Sequence, residues 1–317
     1  MSSLSSKFGV VFFLLVVATT IGAAETAVVD LLSLGRMGEA ISVLATRDDP
    51  ESFNLLSRAY YATERWDDAV KWGERAVSFR PEDANYHLWL ARAYGQKAAN
   101  SNPLAAAGIA RKAKNEFERA VQLDPTNVQA HVDLAQYYTE APAIMGGGLD
   151  KARNEAVQVA KYNPAESHLI LARIAEKDKK YSEAEDQLRQ ATRQAKNSAD
   201  YWLDLAAFYR VRGQLDEMQK AVLTAVAQPN IAAEIYYEAG GELCLAGRDF
   251  PNAVQYLQTY LASGGLVETA PAFRAHYLLG QIYEKMGQHS AAVSEYQASL
   301  SLAGGFDRAR KALNQLQ

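Results

Sequence analysis

Along most of the chain, apolar residues recur three and four positions apart with polar residues between them, the spacing that lays one apolar stripe along a helix. The run from Ala199 shows it most plainly. Trp202, Leu205, Ala206 and Tyr209 mark one helix, Gly213 a turn, Leu215, Met218, Val222 and Ala225 a second helix, and Pro229 its end. The shared order is a large residue, a leucine, a small residue and a tyrosine, then a turn, then an alanine, a bulky residue and another alanine. It predicts two antiparallel helices, and the chain reads as helix after helix of this kind, broken most visibly by Glu140–Ala152, EAPAIMGGGLDKA.

The order repeats, and a fixed repeat outranks any single motif as evidence of architecture. The copy from Pro50 has Phe53, Leu56, Ser57, Tyr60, Trp66, Ala69, Ala76 and Pro81. The next has Leu90, Ala91 and Tyr94, resuming at Ala113, Phe117, Ala120 and Pro125, and a third has Leu134, Ala135 and Tyr138, then Ala152 and Pro164. Leu171, Ala172, Tyr181, Ala184, Leu188 and Ala191 mark the fourth, the Ala199 run the fifth, Tyr237, Gly241, Phe250, Ala253 and Leu257 a weaker sixth, and Leu279, Gly280, Tyr283, Gly287, Ala292 and Tyr296 the seventh. Small residues let helices approach and large ones fill the gaps between them. This sequence resembles the tetratricopeptide repeat, a 34-residue pair of antiparallel helices. The resemblance implies an all-α fold, a right-handed superhelical solenoid over residues 25–317 with about seven repeats, an incomplete N-terminal unit at 28–47 and a closing helix at 306–316. It also implies a concave surface lined by the first helix of each repeat.

Two copies are longer than the rest between the tyrosine and the next alanine. Tyr94 to Ala113 holds ten extra residues and Tyr138 to Ala152 five. The first insertion, rich in alanine, predicts prolonged helices with Asn102 as cap and Pro103 in the first turn of the second. The second predicts a true loop, because Pro142 disfavours helix at Ala141 and the glycines permit positive φ. The next helix is expected to begin near Gly148, with Asp150 at its positive end. Ile144 and Met145 are expected to tuck against the hairpin. Gly146, Gly147 and Gly148 form a possible loop site, since a glycine run before a helix can expose amides to an anion. The loop wording also resembles one found in a subset of bacterial exported repeat proteins.

Charge narrows the partners. With 33 basic and 37 acidic residues, a net charge of −4 and no clustered basic face, the chain offers no footprint for nucleic acid. At the N-terminus, Lys7, an apolar stretch from Val10 to Val17 and small residues at Gly22, Ala23 and Ala24 predict a signal peptide over 1–24 and a periplasmic or secreted protein. An uncleaved anchor is the alternative for that segment, and no later stretch is apolar enough to span a bilayer. Cys244 is the single cysteine, so no internal disulfide forms, and a buried small hydrophobe is the expected role.

No catalytic, cofactor or metal motif appears, and a non-catalytic protein–protein interaction scaffold is the expectation. Four histidines, His87, His131, His168 and His276, share one repeat position, which the resemblance makes a packing position. The resemblance further implies that a protein or peptide partner lies in the groove. The residues facing it would include Asn54, Arg58, Leu88, Arg92, Gln136, Leu169 and Arg173, an apolar line flanked by arginines, whereas Glu238 and Glu242 turn the C-terminal half acidic. An extended segment with acidic groups is the expected ligand, unless the arginines pair with nearby carboxylates. A lipid or small molecule enclosed by the superhelix is the alternative. The sequence leaves oligomeric state open.

Overall fold

The computed structural model describes residues 27–196 and 198–317, and among these every regular element is helical. The expected signal peptide lies outside the described residues. A short pair, α1 (27–33) and α2 (Met37–Leu44), comes first. Pairs follow as α3 (Pro50–Ala62) with α4 (Trp66–Phe79), α5 (Ala84–Ala99) with α6 (Pro103–Leu123), and α7 (Val128–Glu140) with α8 (Leu149–Val159). Next come α9 (Pro164–Lys177) with α10 (Tyr181–Gln194), α11 (Ala199–Val211) with α12 (Leu215–Val226), α13 (Glu234–Ala246) with α14 (Phe250–Ala262), and α15 (Ala272–Lys285) with α16 (His289–Leu302). The last helix is α17 (Asp307–Leu316).

The two helices of a pair start by different chemistry. Several first helices use an Asx cap, with Asp49, Asp83, Asn127 and Asn163 accepting from backbone amides two or three residues on. Most second helices have no side-chain cap and instead follow one turn geometry. A residue with positive φ ends the first helix at Gly35, Glu64, Lys179, Gly213, Gly247 and Gly287. The next amide then reaches back five residues, as in Arg36 N to Leu31 O at 2.8 Å and Gln288 N to Tyr283 O at 2.8 Å. This is the αL closure common at helix C-termini. Its presence at Gly35 shows that α1 and α2 are a true, shortened pair.

The pairs built from α5 to α8 depart from that turn, where the sequence is expanded. Helices α5 and α6 run 16 and 21 residues, and Asn102 Oδ1 accepts from Ala105 N with Pro103 at the start of α6. The hairpin expectation therefore holds, cap included. Between α7 and α8, a single 3-10 turn over Ala143–Met145 leads through Gly146 at φ 91° into Gly148, the residue before α8. A Cβ on Gly147 would sit 1.8 Å from the Ala141 carbonyl oxygen, so only glycine fits. Ile144 corrects the expectation: it is 85% exposed rather than tucked against the hairpin. The glycines, not the apolar side chains, bring the loop close, with Gly146 beside the Lys114 side chain.

Small residues make the interfaces. Ala59, Ala69, Ala91, Ala113, Ala135, Ala152, Ala172 and Ala206 are fully buried, and Gly280 lies under the Tyr296 ring. An open solenoid would end in two capped faces, but here the two ends meet. Val28, Leu32, Met37, Ala40 and Leu44 from α1 and α2, with Leu55, Leu56 and Ala59 from α3, share one buried cluster with Phe273, Ala303, Phe306 and Ala309. Phe273 and Phe306 pack edge to face at 5.1 Å. Polar contacts flank the cluster: Arg274 donates to Ala62 O at 2.8 Å, and Glu64 pairs with both Arg274 and Arg308. The array closes on itself.

Gly35 is the tightest point of that seam. It has φ 73°, and a Cβ there would lie 2.7 Å from the Ala272 amide nitrogen. Gly35→Ala is expected to destabilise the protein by about 2 kcal/mol or more through strain and overpacking. It should also raise hydrogen exchange in α1, α2 and α15–α17 together, before the central pairs respond. Exchange that rises only around residue 35 would contradict a cooperative seam.

Candidate functional site

First helices of successive pairs pack on one another, α3 on α5, α7 on α9, α11 on α13 and α13 on α15. The cavities of the inner face accordingly lie between first helices. The arginine track expected from sequence is present but largely neutralised. Arg58 Nε donates to Glu268 Oε1 at 2.9 Å, its Nη2 contacts Oε2, and the guanidinium lies 5.1 Å from the Trp89 ring. Arg92 Nε donates to Asp133 Oδ2 at 2.6 Å, and its guanidinium lies 4.6 Å from the centre of the same Trp89 ring.

The apolar line is mostly spent in packing, with Leu169 still edging a cavity. Leu88 and Leu169 are 4% and 5% exposed and belong to the packed core, and Asn54 is 1% exposed. Gln136 is exposed and helps line a cavity of about 330 Å³ with Tyr61, Arg92, Phe117, Asp133 and Tyr137. Arg173 stands near the carboxylates of Glu166, Glu176 and Asp204 and lines a smaller cavity beside Leu169. Of the two readings the sequence left open for these arginines, pairing with the chain's own carboxylates is the one seen at Arg58 and Arg92. Neither Asp133 nor Glu268 was assigned from the sequence, and nothing local relates Glu268 to residue 58.

The open charge of the inner face is negative. Asp200, Asp204, Glu238 and Glu242 line a cavity of about 460 Å³ together with Leu203, Tyr237, Leu245 and Leu278. Glu242 accepts from Arg210 Nε at 2.7 Å, whereas Asp204 and Glu238 hold no hydrogen bond or ion pair to a described residue. Both reach solvent within the groove, yet protein on several sides removes much of their hydration. Burial, reinforced by Asp200, Asp204, Glu234 and Glu242, pushes the Glu238 carboxyl up to about 7. Burial pushes Asp204 up to about 6 against the opposing charge of Arg173, with Glu166, Asp200 and Glu242 adding to the rise.

The loop glycines do not form an anion nest. Gly146 N, Gly147 N and Gly148 N donate to Ala143 O, Pro142 O and Tyr138 O at 2.9, 3.2 and 2.8 Å, so all three amides are spent inside the loop. The adjacent Lys151 donates to Gly146 O at 2.8 Å, and Tyr137 OH to Met145 O at 2.8 Å. Cys244 is 1% exposed, and burial raises its thiol.

The four repeat-position histidines each reach across to the second helix of their own pair. His87 Nδ1 meets Glu116 at 2.5 Å, His131 Nδ1 meets Glu155 at 2.6 Å, His168 Nδ1 meets Gln187 at 2.7 Å and His276 Nδ1 meets Glu295 at 2.7 Å. His87 and His131 also place Nε2 against the Pro81 and Pro125 carbonyls at 2.9 and 3.1 Å. Two acceptors per ring favour the doubly protonated form. Burial alone lowers His87, but the Glu116 hydrogen bond and charge and the Pro81 carbonyl outweigh it, leaving a net rise. In His131 the Glu155 hydrogen bond dominates, and the result is again a rise.

Two family models of the tetratricopeptide repeat match this chain, one over residues 273–305 and one over 26–85 and 146–199. Among solved structures, a thermophilic TPR protein of Thermus thermophilus, TTC0263, is 21% identical, with 59% of this chain and 97% of that one covered at a TM-score of 0.50. Yeast Tom70 is 16% identical over 84% of this chain and 65% of its own, with a TM-score of 0.48. A tetratricopeptide repeat protein from Parabacteroides merdae is 15% identical over 84% and 98%, with a TM-score of 0.43. At such identity the Thermus protein supports the fold alone. No curated protein matches the chain.

The raised histidines tie stability to pH. A histidine whose folded pKa exceeds its unfolded value of about 6.5 contributes fully below that value and loses its contribution as pH rises through the folded one. Imidazole NMR titration should show His87 and His131 remaining protonated above pH 6.5, and Glu116→Gln and Glu155→Gln should each lower the midpoint of the facing ring. The melting temperature should fall from pH 6 to pH 9, and less steeply in the double variant. Midpoints unmoved by these substitutions would refute the pairing.

Proposed function

Because the chain is a tetratricopeptide-repeat protein, of a family that generally mediates protein–protein interactions, we propose that it is a non-catalytic scaffold of the cell envelope that takes an extended segment of a partner polypeptide along its inner face. The observation that carries this reading is the cavity between α11, α13 and α15. Its carboxylates stand beside an apolar lining of Leu203, Tyr237, Leu245 and Leu278. A lysine or arginine side chain matches both, its methylenes lying on the apolar lining while its charge meets Asp204 and Glu238. A basic, partly apolar segment is therefore the partner at this end of the groove, opposite in sign to the ligand expected on the arginine track.

The envelope location rests on the N-terminal layout of Lys7, the apolar stretch and the small residues at 22–24. Export would place the scaffold where an oxidising environment makes disulfides available, and a chain with one buried cysteine does not depend on them. Intact-mass analysis of the protein from the cell envelope should give a chain beginning at Glu25, and a chain retaining Met1 would count against cleavage.

Binding of a short peptide alternating lysine and leucine tests the cavity. Asp204→Asn with Glu238→Gln should weaken it about ten-fold by removing the charges the cation meets. The two carboxyls ionise as pH rises through about 6 and about 7. Affinity should accordingly increase from pH 5.5 to pH 8, and calorimetry near pH 6.5 in two buffers should register proton release. A flat pH profile with unchanged affinity in the variant would sink the reading. Lipid or another low-mass molecule retained through native purification would favour an enclosed small ligand instead.

A further inference from the structure

We propose that the two insertions build a binding site for a neutral sugar, a pyranose held against aromatic rings, in the cavity of about 330 Å³ between α3, α5 and α7. The inference goes beyond the cationic partner of the acidic cavity and does not depend on it.

The cavity sits where the repeat is expanded. Gly95, Gln96 and Ala99 follow Tyr94, in the stretch where the first insertion prolongs α5, and they form one wall. Tyr137 and Glu140 lie in the last turn of α7, where the second insertion begins. That loop fixes Tyr137, whose hydroxyl donates to Met145 O at 2.8 Å, and Gly146 lies beside Lys114 of α6. Loop, hairpin and cavity wall are thus packed together. Gly95 is a glycine inside a helix, where it is unfavourable, yet a Cβ on it would meet nothing within 4 Å. Packing does not require glycine there; an open cavity wall does.

The lining selects against charged and aliphatic ligands. Its charges are answered within the protein: Arg92 meets Asp133 at 2.6 Å, Gln129 Nε2 donates to Asp133 at 2.8 Å, and Glu140 meets Lys177 at 3.0 Å. Its apolar surface comes chiefly from Tyr61, Phe117 and Tyr137, with no leucine, isoleucine, valine or methionine, whereas Leu203, Leu245 and Leu278 line the acidic cavity. What stays unspent is neutral. Gln136 is exposed, its carboxamide holds no hydrogen bond to a described residue, and Gln96 meets the Tyr61 hydroxyl. A carboxamide presents an acceptor beside two donors, the complement of adjacent ring hydroxyls. The face of an aromatic ring is negative, which suits the slightly positive C–H face of a pyranose. A lipid chain would leave the amides unmet, and an ion would find no unpaired opposite charge. The volume is at the low end of the about 300–1,000 Å³ of small-molecule sites, which fits a short sugar rather than a long chain.

Saturation-transfer NMR of the full-length protein with maltose, cellobiose and N,N′-diacetylchitobiose tests the site. At least one of these sugars should bind with a dissociation constant of about 1 mM or tighter, with the strongest transfer to the C–H protons of one ring face. Gln136→Ala should weaken that binding about ten-fold by removing the unspent carboxamide. Gly95→Leu should abolish it while leaving the melting temperature equal or higher, because leucine is the better helix former and its Cβ has room. Tyr137→Phe keeps the ring but releases it from Met145 O, and should weaken binding by a smaller factor than Gln136→Ala. Absence of binding by all three sugars would overturn the proposal. So would sugar binding unchanged in both Gln136→Ala and Gly95→Leu, or a blocked neutral peptide such as Gly-Ser-Gln-Gly binding as tightly as the best sugar. Asp204→Asn with Glu238→Gln should leave sugar binding unaffected, which separates failure here from failure of the cationic cavity.

Discussion

A stack of helix pairs leaves an apolar face at each end, because each pair buries one side on its predecessor and offers the other to its successor. In this chain each leftover face covers the other. Leu32, Met37 and Leu44 on one end and Phe273 and Phe306 on the other are at most 2% exposed. Fully burying side chains of this size is worth about 1.5–3 kcal/mol each, whereas exposed ion pairs contribute about 0–1 kcal/mol. The apolar contact therefore holds the seam, and Glu64 with Arg274 and Arg308 orients it. Glu64 meets both arginines from the αL position of its turn, where glycine would be the easier residue.

The inner face is electrostatically uneven. In an open groove, carboxylates on neighbouring helices face bulk water and ionise near their ordinary values. Here protein on several sides removes hydration, and Asp204 and Glu238 are raised by that burial and by neighbouring carboxylates. Glu268 reaches Arg58, so positive charge at one end is answered internally while negative charge at the other is not. The inner face thus runs from a satisfied arginine region to an unsatisfied acidic one.

What the sequence made legible was whatever a helix or turn decides locally. Asn102 and Pro103 announced the start of α6, and Gly148 the start of α8, because capping and proline geometry depend on three or four adjacent residues. The packing role of the repeat-position histidines came from the resemblance to the repeat, and their partners on the second helices were not assigned. The glycine run misled in one respect: positive φ was readable, but the carbonyls that take up its amides depend on how Pro142 and Tyr138 fold back. Residues 58 and 268 lie too far apart for any periodicity to join them. The availability of Arg58 and Arg92 therefore depended on contacts that helix periodicity does not encode.

Closure also constrains how such a chain can vary. An open solenoid accepts another pair at little cost to the rest, since each pair touches only its neighbours. In a closed array an added pair would drive α1–α3 away from α15–α17 and expose the apolar seam. Added length must instead go where it leaves the step between pairs unaltered, along the helix axes and out at the turns. The ten residues of the α5–α6 hairpin and the five of the 141–148 loop are of that kind. The longer links at 227–233 and 263–271 are of the other kind, because they separate pairs rather than the helices within one. They fall in the two steps before α15, where the rise of a superhelix would have to be taken up for its last pair to meet its first, and the second of them carries the residue that reaches Arg58.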